Sequence, residues 1–342
     1  MSSKIKISIV ILNWNGSSFL QRFLPSVVAC SDENSEIIVA DNGSTDDSKK
    51  VVKVDFPTVK YLQLDQNYGF AEGYNRALAS ISADYIVLLN SDVQVTPGWL
   101  RPMAQLLDKD PSIGICQPKI LSLDRPDEFE YAGAAGGFID RFGYPYCRGR
   151  ILQEVEKDLR QYDDTLPVSW ASGACMMVRA DLWKSCNGFD ADFWAHMEEI
   201  DLCWRAQHLG YRVFICPESV IYHLGGGTLH YNSPLKIYLN FRNNLYLLFK
   251  NLPGIQLATK LPVRMILDGV AALVFLLKGE PKSFGKVFSA HLKFYRSLPS
   301  LARKRKAIFK TGKGNRVRLT TRQVILWNYF IRKRRKYSEI NH

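Results

Sequence analysis

The chain has 342 residues, with 45 Lys and Arg against 33 Asp and Glu, and its 46% apolar content is enough for a well-buried core. The formal charge of +12 hides a split: from Leu235 onward there are 24 basic residues and three acids, leaving 21 basic and 30 acidic residues in 1–234. Seven scattered cysteines without paired CxxC spacing argue against a disulfide framework or a structural zinc site, and an acidic front joined to a basic back suggests a catalytic unit (1–234) and an anchoring unit (235–342).

The polar, basic start, Met1–Lys6, leads into an apolar run, Ile7–Leu12, too short for the core of a signal peptide. β-Branched residues predict a strand over Ile5–Leu12, closed by the turn Asn13-Trp14-Asn15-Gly16. A helix is expected over Ser18–Ala29, then a strand over Glu36–Ala40 that ends at Asp41-Asn42-Gly43-Ser44. A third strand, Val59–Leu64, leads to Asn67-Tyr68-Gly69-Phe70-Ala71, which opens a helix through Ser80. The fourth, Tyr85–Leu89, ends at Asn90-Ser91-Asp92. Strands alternating with helices imply a mainly parallel α/β sheet covered on both faces, which binds ligands outside the carboxyl ends of its strands.

Polar residues gather at those ends: Asn13 and Asn15, Asp41, Asn67, then Asn90 and Asp92. One such residue is most often a turn or helix cap, but four clusters at one edge point to a binding edge. Neither GxGxxG nor GxxxxGK[ST] occurs at the first strand–helix turn, which disfavours dehydrogenase and P-loop readings.

Further on, Phe193-Trp194-Ala195-His196-Met197 runs directly into Glu198-Glu199-Ile200-Asp201, expected as a helix start. Adjacent helical residues point about 100° apart, so Glu198 and Glu199 cannot share one role, whereas Asp201 and Arg205 are placed to pair. A carboxylate beside Trp194 and Met197 loses solvent, and its pKa rises towards that of a useful base. His223 closes the apolar segment Val220-Ile221-Tyr222 and precedes Leu224-Gly225-Gly226-Gly227, glycines that allow backbone to approach a phosphate or metal.

From Leu235 strand signals give way to amphipathic helical stretches: Tyr238–Phe249, Met265–Leu277 and Lys282–Arg305. Met265–Leu277 is interrupted by Asp268 and falls short of the roughly 18 uncharged residues of a spanning helix, so an interfacial helix is expected. Trp327-Asn328-Tyr329-Phe330-Ile331 precedes the basic run Arg332–Lys336. Basic residues beside aromatics suit an anionic membrane surface; a solvated tail or a nucleic-acid contact would carry the same charge, but no nucleic-acid motif is present and no such partner is expected.

The segments Val10–Gly16, Asp41–Asp46, Asn67–Arg76 and Leu88–Asp92, in this order, resemble family 2 glycosyltransferases of the GT-A fold. Ser172-Gly173-Ala174, Gly188-Phe189-Asp190 and Glu198–Arg205 are similar to the rhamnosyltransferase-like branch, and the likeness covers about residues 5–245. The resemblance implies inverting transfer of a sugar, such as rhamnose, from a dTDP- or UDP-sugar to a lipid-linked or cell-surface glycan precursor. It places donor contacts at Asn13, Asn15, Asp41, Asn67, Gly69, Asn75, Arg76, Asn90 and Asp92. Mn²⁺ or Mg²⁺ would sit on Asp92 and His223, and the acceptor near Gly173, Trp194 and His196. Glu199 falls on the expected general base, with Glu198 orienting acceptor or base; Glu in place of the commoner Asp keeps the choice between them open. Asn90 replaces the first acid of the family's DxD motif. A catalytically degenerate sugar-nucleotide-binding protein is the alternative. The enzyme is expected in the cytoplasm, peripheral on the inner face of the cell membrane; sequence says nothing of its oligomeric state.

Overall fold

The computed structural model describes residues 6–32, 34–225, 233–311 and 320–340; Gly226 and Gly227 of the glycine run lie outside them. Strands β1 (Ile7–Asn13), β2 (Ser35–Asp41), β3 (Lys60–Gln63) and β4 (Tyr85–Asn90) alternate with helices α1 (Ser17–Cys30), α2 (Ser48–Lys50) and α3 (Gly69–Leu78). These four strands run parallel in the order β3-β2-β1-β4. Beyond β5 (Val93–Val95), α4 (Leu100–Lys109) and β6 (Ile113–Ser122) comes a small antiparallel sheet of β7 (Gly137–Ile139), β8 (Pro145–Cys147), β9 (Arg150–Ile151) and β10 (Glu154–Val155).

The chain then returns to the main sheet through β11 (Leu166–Val168), β12 (Cys175–Arg179), α5 (Ala180–Ser185), α6 (Glu198–His208) and β13 (Arg212–His223). β12 lies antiparallel between β4 and β6, β13 runs parallel to β6, and β5 pairs antiparallel with the end of β13. Helices α7 (Pro234–Asn251), α8 (Gly254–Leu277), α9 (Pro281–Thr311) and the short α10 (Tyr337–Ile340) follow.

The central strands β1 and β4 are mostly apolar because both faces are covered, while β3 at the edge, Lys60–Gln63, is half exposed. Val10, Ile38, Ala40, Ile86 and Leu88 pack on one side with α3 and α6, while Ile9, Ile11, Val39, Val87 and Leu89 pack on the other with α1 and α4. Each buried Val, Ile and Leu among them contributes roughly 1.5–3 kcal/mol by leaving water. Register then does the positioning. Asn13 pairs with Asp41 and Leu12 with Asn90, so the carboxyl ends of β1, β2 and β4 coincide.

The basic third packs against the sheet domain through buried ions. Lys250 Nζ lies 2.5 Å from Asp190 Oδ2 and 2.8 Å from Asp201 Oδ1, and Lys304 pairs with Asp190 and Asp192. These cations hold the Asp190 carboxyl below the usual range, against the opposing effect of burial. Buried, paired charges of this kind are costly to break, on the order of 3–5 kcal/mol when one partner is removed. The tail folds back on the small sheet: Ile325 N donates to Asp140 Oδ2 at 2.9 Å and Arg335 Nη1 to Glu154 Oε1 at 3.1 Å. Among the described residues no helix is long and apolar enough to cross a membrane. All seven cysteines are free, and all but Cys30 are buried.

Candidate active site at the carboxyl edge of the sheet

The Asn13–Asp41 end is a hydrogen-bond network. Buried Asn13 donates through Nδ2 to Ser48 Oγ at 2.9 Å and to Asp41 Oδ2 and Ser44 Oγ, both at 3.3 Å. Asp41 Oδ1 accepts from Ser44 N at 2.7 Å, while Asn15, at a positive φ of 49°, accepts from Thr45 N at 2.8 Å. Asn13 Oδ1 is buried with no partner among the described residues and lies against Gly16, where a Cβ would collide with it. Asp41 also faces the Tyr61 hydroxyl, whose pKa burial and the Asp41 carboxylate raise.

Asn42 was not singled out by sequence, yet it braces the next loop. Its Nδ2 donates to Gly69 O at 2.9 Å and Asn67 Oδ1 at 3.1 Å, and its Oδ1 accepts from Tyr68 N at 3.0 Å. Asn67 Oδ1 in turn accepts from Gly69 N at 2.8 Å. Gly69 is required twice over: its φ is +74°, and a Cβ there would lie 2.5 Å from the Trp194 indole nitrogen.

Asn75 and Arg76 are engaged within the protein. The Asn75 amide clasps the Phe189 backbone on both sides, with Nδ2 to Phe189 O at 2.9 Å and Phe189 N to Oδ1 at 2.8 Å. Arg76 pairs with Glu72 at 2.9 Å and stacks over Tyr68, whose ring centroid is 3.8 Å away. The geometry thus gives Asn75 a bracing job between α3 and the 188–190 turn.

At the end of β4, Asp92 meets His223 from the end of β13. His223 Nε2 lies 3.0 Å from Asp92 Oδ1, and its Nδ1 lies 3.3 Å from Glu130 Oε1, at ion-pair distance. Burial opposes a charge on this imidazole, but the Glu130 and Asp92 carboxylates outweigh it and carry its pKa up to about 10. Glu130 sits in the irregular stretch between β6 and β7, where no periodic signal marked it. Asp92 and Glu130 thus flank the imidazole on its two nitrogens. No group of three His, Cys, Asp or Glu that could hold a metal ion occurs among the described residues.

The base end begins with a strained loop. Trp194, His196 and Met197 all have positive φ, at 64°, 67° and 73°. Non-glycine residues in this region cost of order 1–3 kcal/mol each and persist only when their surroundings hold them. Here the holders are identifiable. Trp194 O accepts from Phe70 N and Ala71 N at 2.9 and 3.0 Å, capping α3. From α7, Asn243 Nδ2 donates to the carbonyls of Phe193, Ala195 and His196 at 2.9, 2.8 and 2.7 Å. Arg242 Nη2 adds Asp192 O and Phe193 O at 2.9 and 2.8 Å.

This loop delivers Glu198 and Glu199 onto α6. Glu198 is 3% exposed, and burial with the neighbouring Glu199 charge holds its carboxyl well above the usual range. Glu199 is only partly buried, and loss of solvent pushes it up to about 7 against backbone amides that favour its charge. The Oε2 atoms of both lack partners among the described residues, as does His196 Nε2. Burial and the Lys236 charge lower the His196 pKa to about 4, so this imidazole stays neutral at physiological pH.

Gly173 connects the two ends. A Cβ on it would sit 3.8 Å from Glu199 Cβ and 3.5 Å from the Phe70 ring, ordinary contacts, so the residue lines the wall beside the base and a small side chain would fit. The next carbonyl, Ala174 O, accepts from Asn90 N at 2.9 Å. The Asp92 loop and Glu199 are therefore tied to the same three-residue segment. Asp201, expected to pair with Arg205, does so at 2.7 Å and is buried as a structural ion.

Comparison with known proteins agrees with this architecture. The curated N-acetylglucosaminyl-diphospho-decaprenol L-rhamnosyltransferase of Mycobacterium tuberculosis is 26% identical over 241 residues, covering 65% of this chain and 77% of the relative. Staphylococcus aureus TarS 1–349, solved with UDP-GlcNAc, superposes with a TM-score of 0.57 at 16% identity over 90% of this chain and 87% of that fragment. The mannosyltransferase PcManGT of Pyrobaculum calidifontis, solved with GDP-Man and Mn²⁺, gives 0.53 at 14% identity over 92% and 88%. The expected GT-A fold is the fold found. Residues 8–185 match the family model described as glycosyl transferase family 2, and since that match covers more than half of the chain, the protein belongs to this family and is a glycosyltransferase.

Proposed function

We propose that the chain is an inverting transferase that moves rhamnose, or a related sugar, from a dTDP- or UDP-activated donor to a hydroxyl of a lipid-linked glycan precursor. Its place of work in this reading is the cytoplasmic face of an anionic membrane. The observation that carries it is the convergence, on one sheet edge, of the Asn13–Asp41 network, the Asp92–His223 pair and the partly buried Glu199 carboxyl. The rhamnosyltransferase relative supports the sugar and the lipid-linked acceptor.

In this reading Asp41 and the Asn67–Gly69 loop hold the nucleoside. Asp92 and His223 hold a divalent cation, Mn²⁺ being suited to an imidazole ligand, which would neutralise charge on the diphosphate. The acceptor hydroxyl approaches between Gly173 and Trp194. Its oxygen bonds to the anomeric carbon from the face opposite the diphosphate, and the carbon–oxygen bond to phosphate breaks. The electron pair leaves with the nucleoside diphosphate, and the hydroxyl proton passes to Glu199. A carboxyl near pH 7 is matched to that task. Glu198, buried beside Glu199 with its carboxyl held well above the usual range, would orient the acceptor or the base.

Asn90 in place of an acid favours a second reading, a degenerate sugar-nucleotide-binding protein. Thermal unfolding with dTDP- and UDP-sugars, with and without Mn²⁺, tests the donor and metal assignment, since a ligand of the folded state raises stability by RT ln(1 + [L]/Kd). The expected result is a Mn²⁺-dependent rise for one donor that His223→Ala abolishes. A rise indifferent to Mn²⁺ and to His223→Ala would contradict the metal assignment, and no rise with any donor would contradict the donor reading.

A further inference from the structure

Helix α8 reverses the burial of an ordinary amphipathic helix. Its inward stripe, at i, i+4 and i+8, is Arg264, Asp268 and Ala272, all buried. Arg264 Nε donates to Asp268 Oδ1 at 2.7 Å and its guanidinium lies 4.0 Å from the centre of the Tyr144 ring. The outward stripe is Ile266, Val270, Leu273, Val274 and Leu277, between 42% and 87% exposed. Asp268 is the only charged residue from Met265 to Leu277, and it points inward.

α9 extends the same face. His291 Nε2 lies 3.3 Å from Asp268 Oδ2, and the Tyr295 hydroxyl lies 3.9 Å from Met265 Sδ, so the two helices run side by side in opposite directions. Phe288, Leu292 and Tyr295 of α9 are exposed beside the α8 stripe. A water-facing helix hides its apolar stripe; one that hides an ion pair and shows its apolar stripe is made for an apolar medium.

Charge decides between the candidate occupants. Lys278, Lys282, Lys286, Lys293 and Arg296 are exposed around this face, within a third of the chain that holds 24 basic residues and three acids. A second copy would press like charges together, whereas an anionic bilayer neutralises them. We propose that the α8–α9 hairpin is a monotopic docking face: its apolar stripe sits in the acyl boundary of an anionic membrane and the rimming lysines lie among the headgroups. This deepens the membrane placement of the reading above by assigning the element that makes it. Phe294 of α9 packs on Tyr246 and Phe249 of α7, and α7 holds the 193–196 loop, so docking would fix the base loop relative to the bilayer.

Flotation of the full chain with vesicles tests this without any turnover, so its failure is separable from failure of the enzymatic reading. The probes are vesicles of phosphatidylcholine with phosphatidylglycerol, and of phosphatidylcholine alone. The chain should float with the anionic vesicles, and the double variant Leu273→Glu, Leu277→Glu should bind at least about tenfold more weakly. Both side chains project outward, so circular dichroism should show an unchanged fold. Leu273→Trp supplies a second readout: its emission should shift blue and be quenched by brominated acyl chains. Equal flotation of wild type and double variant, or a bound but unquenched tryptophan, would overturn insertion in favour of adsorption by charge alone. A chain that does not float and scatters light as a dimer dispersed by the double variant would assign the face to a second copy and overturn the proposal.

Discussion

The two ends of the site are built in opposite ways. At the Asn13–Asp41 end, Asn13, Asp41, Asn42 and Asn67 bond mainly to one another and to the local backbone, with Asn13 Oδ1 the exception, mostly within loops that directly follow their own strands. At the Glu199 end, three non-glycine residues hold positive φ, two glutamate oxygens and one imidazole nitrogen lack partners among the described residues, and the support comes from α7, about 50 residues downstream. The difference matches the work. A binding surface gains from groups already satisfied and rigid, whereas a proton acceptor needs a carboxylate that solvent and neighbours do not already stabilise.

Substituting the base breaks this contrast most sharply. Glu199→Gln should lower transfer by roughly 10²–10⁴-fold while leaving donor affinity nearly unchanged, because general-base catalysis contributes on that scale. Equal losses in donor binding and in rate would mark Glu199 as structural. Stability should move the other way. The folded pKa, about 7, lies above the ordinary Glu value of 4.5, so the protonated carboxyl favours the fold. That contribution is complete below about 4.5 and is lost as pH rises through about 7, and Glu199→Gln should remove this pH dependence.

A smaller effect probes the remote support. Asn243→Ala deletes an amide shared by three carbonyls and should destabilise the fold by about 1–3 kcal/mol, the usual cost of leaving buried polar groups unmet. If the loop depends on this clamp, the rate should fall as well, with donor affinity retained. Chemical denaturation beside calorimetric donor titration separates the two. Unchanged transfer would show that the Trp194 carbonyl cap and Arg242 hold the loop without Asn243.

How legible this was follows from the same contrast. Strand, then polar cluster, then helix can be read directly, because a two-face-covered parallel strand is a short apolar run and its ligands come next in sequence. Thus the fold, the alignment of Asn13, Asp41 and Asp92 along one edge, and the Glu198 helix start were visible in advance. Glu130 was not, because it lies in an irregular segment and meets His223 only through the β6–β13 pairing. Asn243 was not, because a side chain bonded to remote carbonyls leaves no periodic trace. The clasp of Asn75 on the Phe189 backbone was not legible either, because the two are 114 residues apart. For α8, composition showed an amphipathic helix, but only packing reveals that the charged stripe faces in.

The central claim is that Glu199 takes the acceptor proton, and the pH dependence of kcat/KM tests it most directly. With dTDP-rhamnose, Mn²⁺ and a polyprenyl-diphosphate-linked N-acetylglucosamine acceptor, kcat/KM should rise tenfold per pH unit on the acidic side, bend near pH 7 and level off above it. The ascending limb should be absent from the residual activity of Glu199→Gln. A bend near pH 4.5 in the wild type, or the same profile in both proteins, would contradict the account and place the proton acceptor elsewhere.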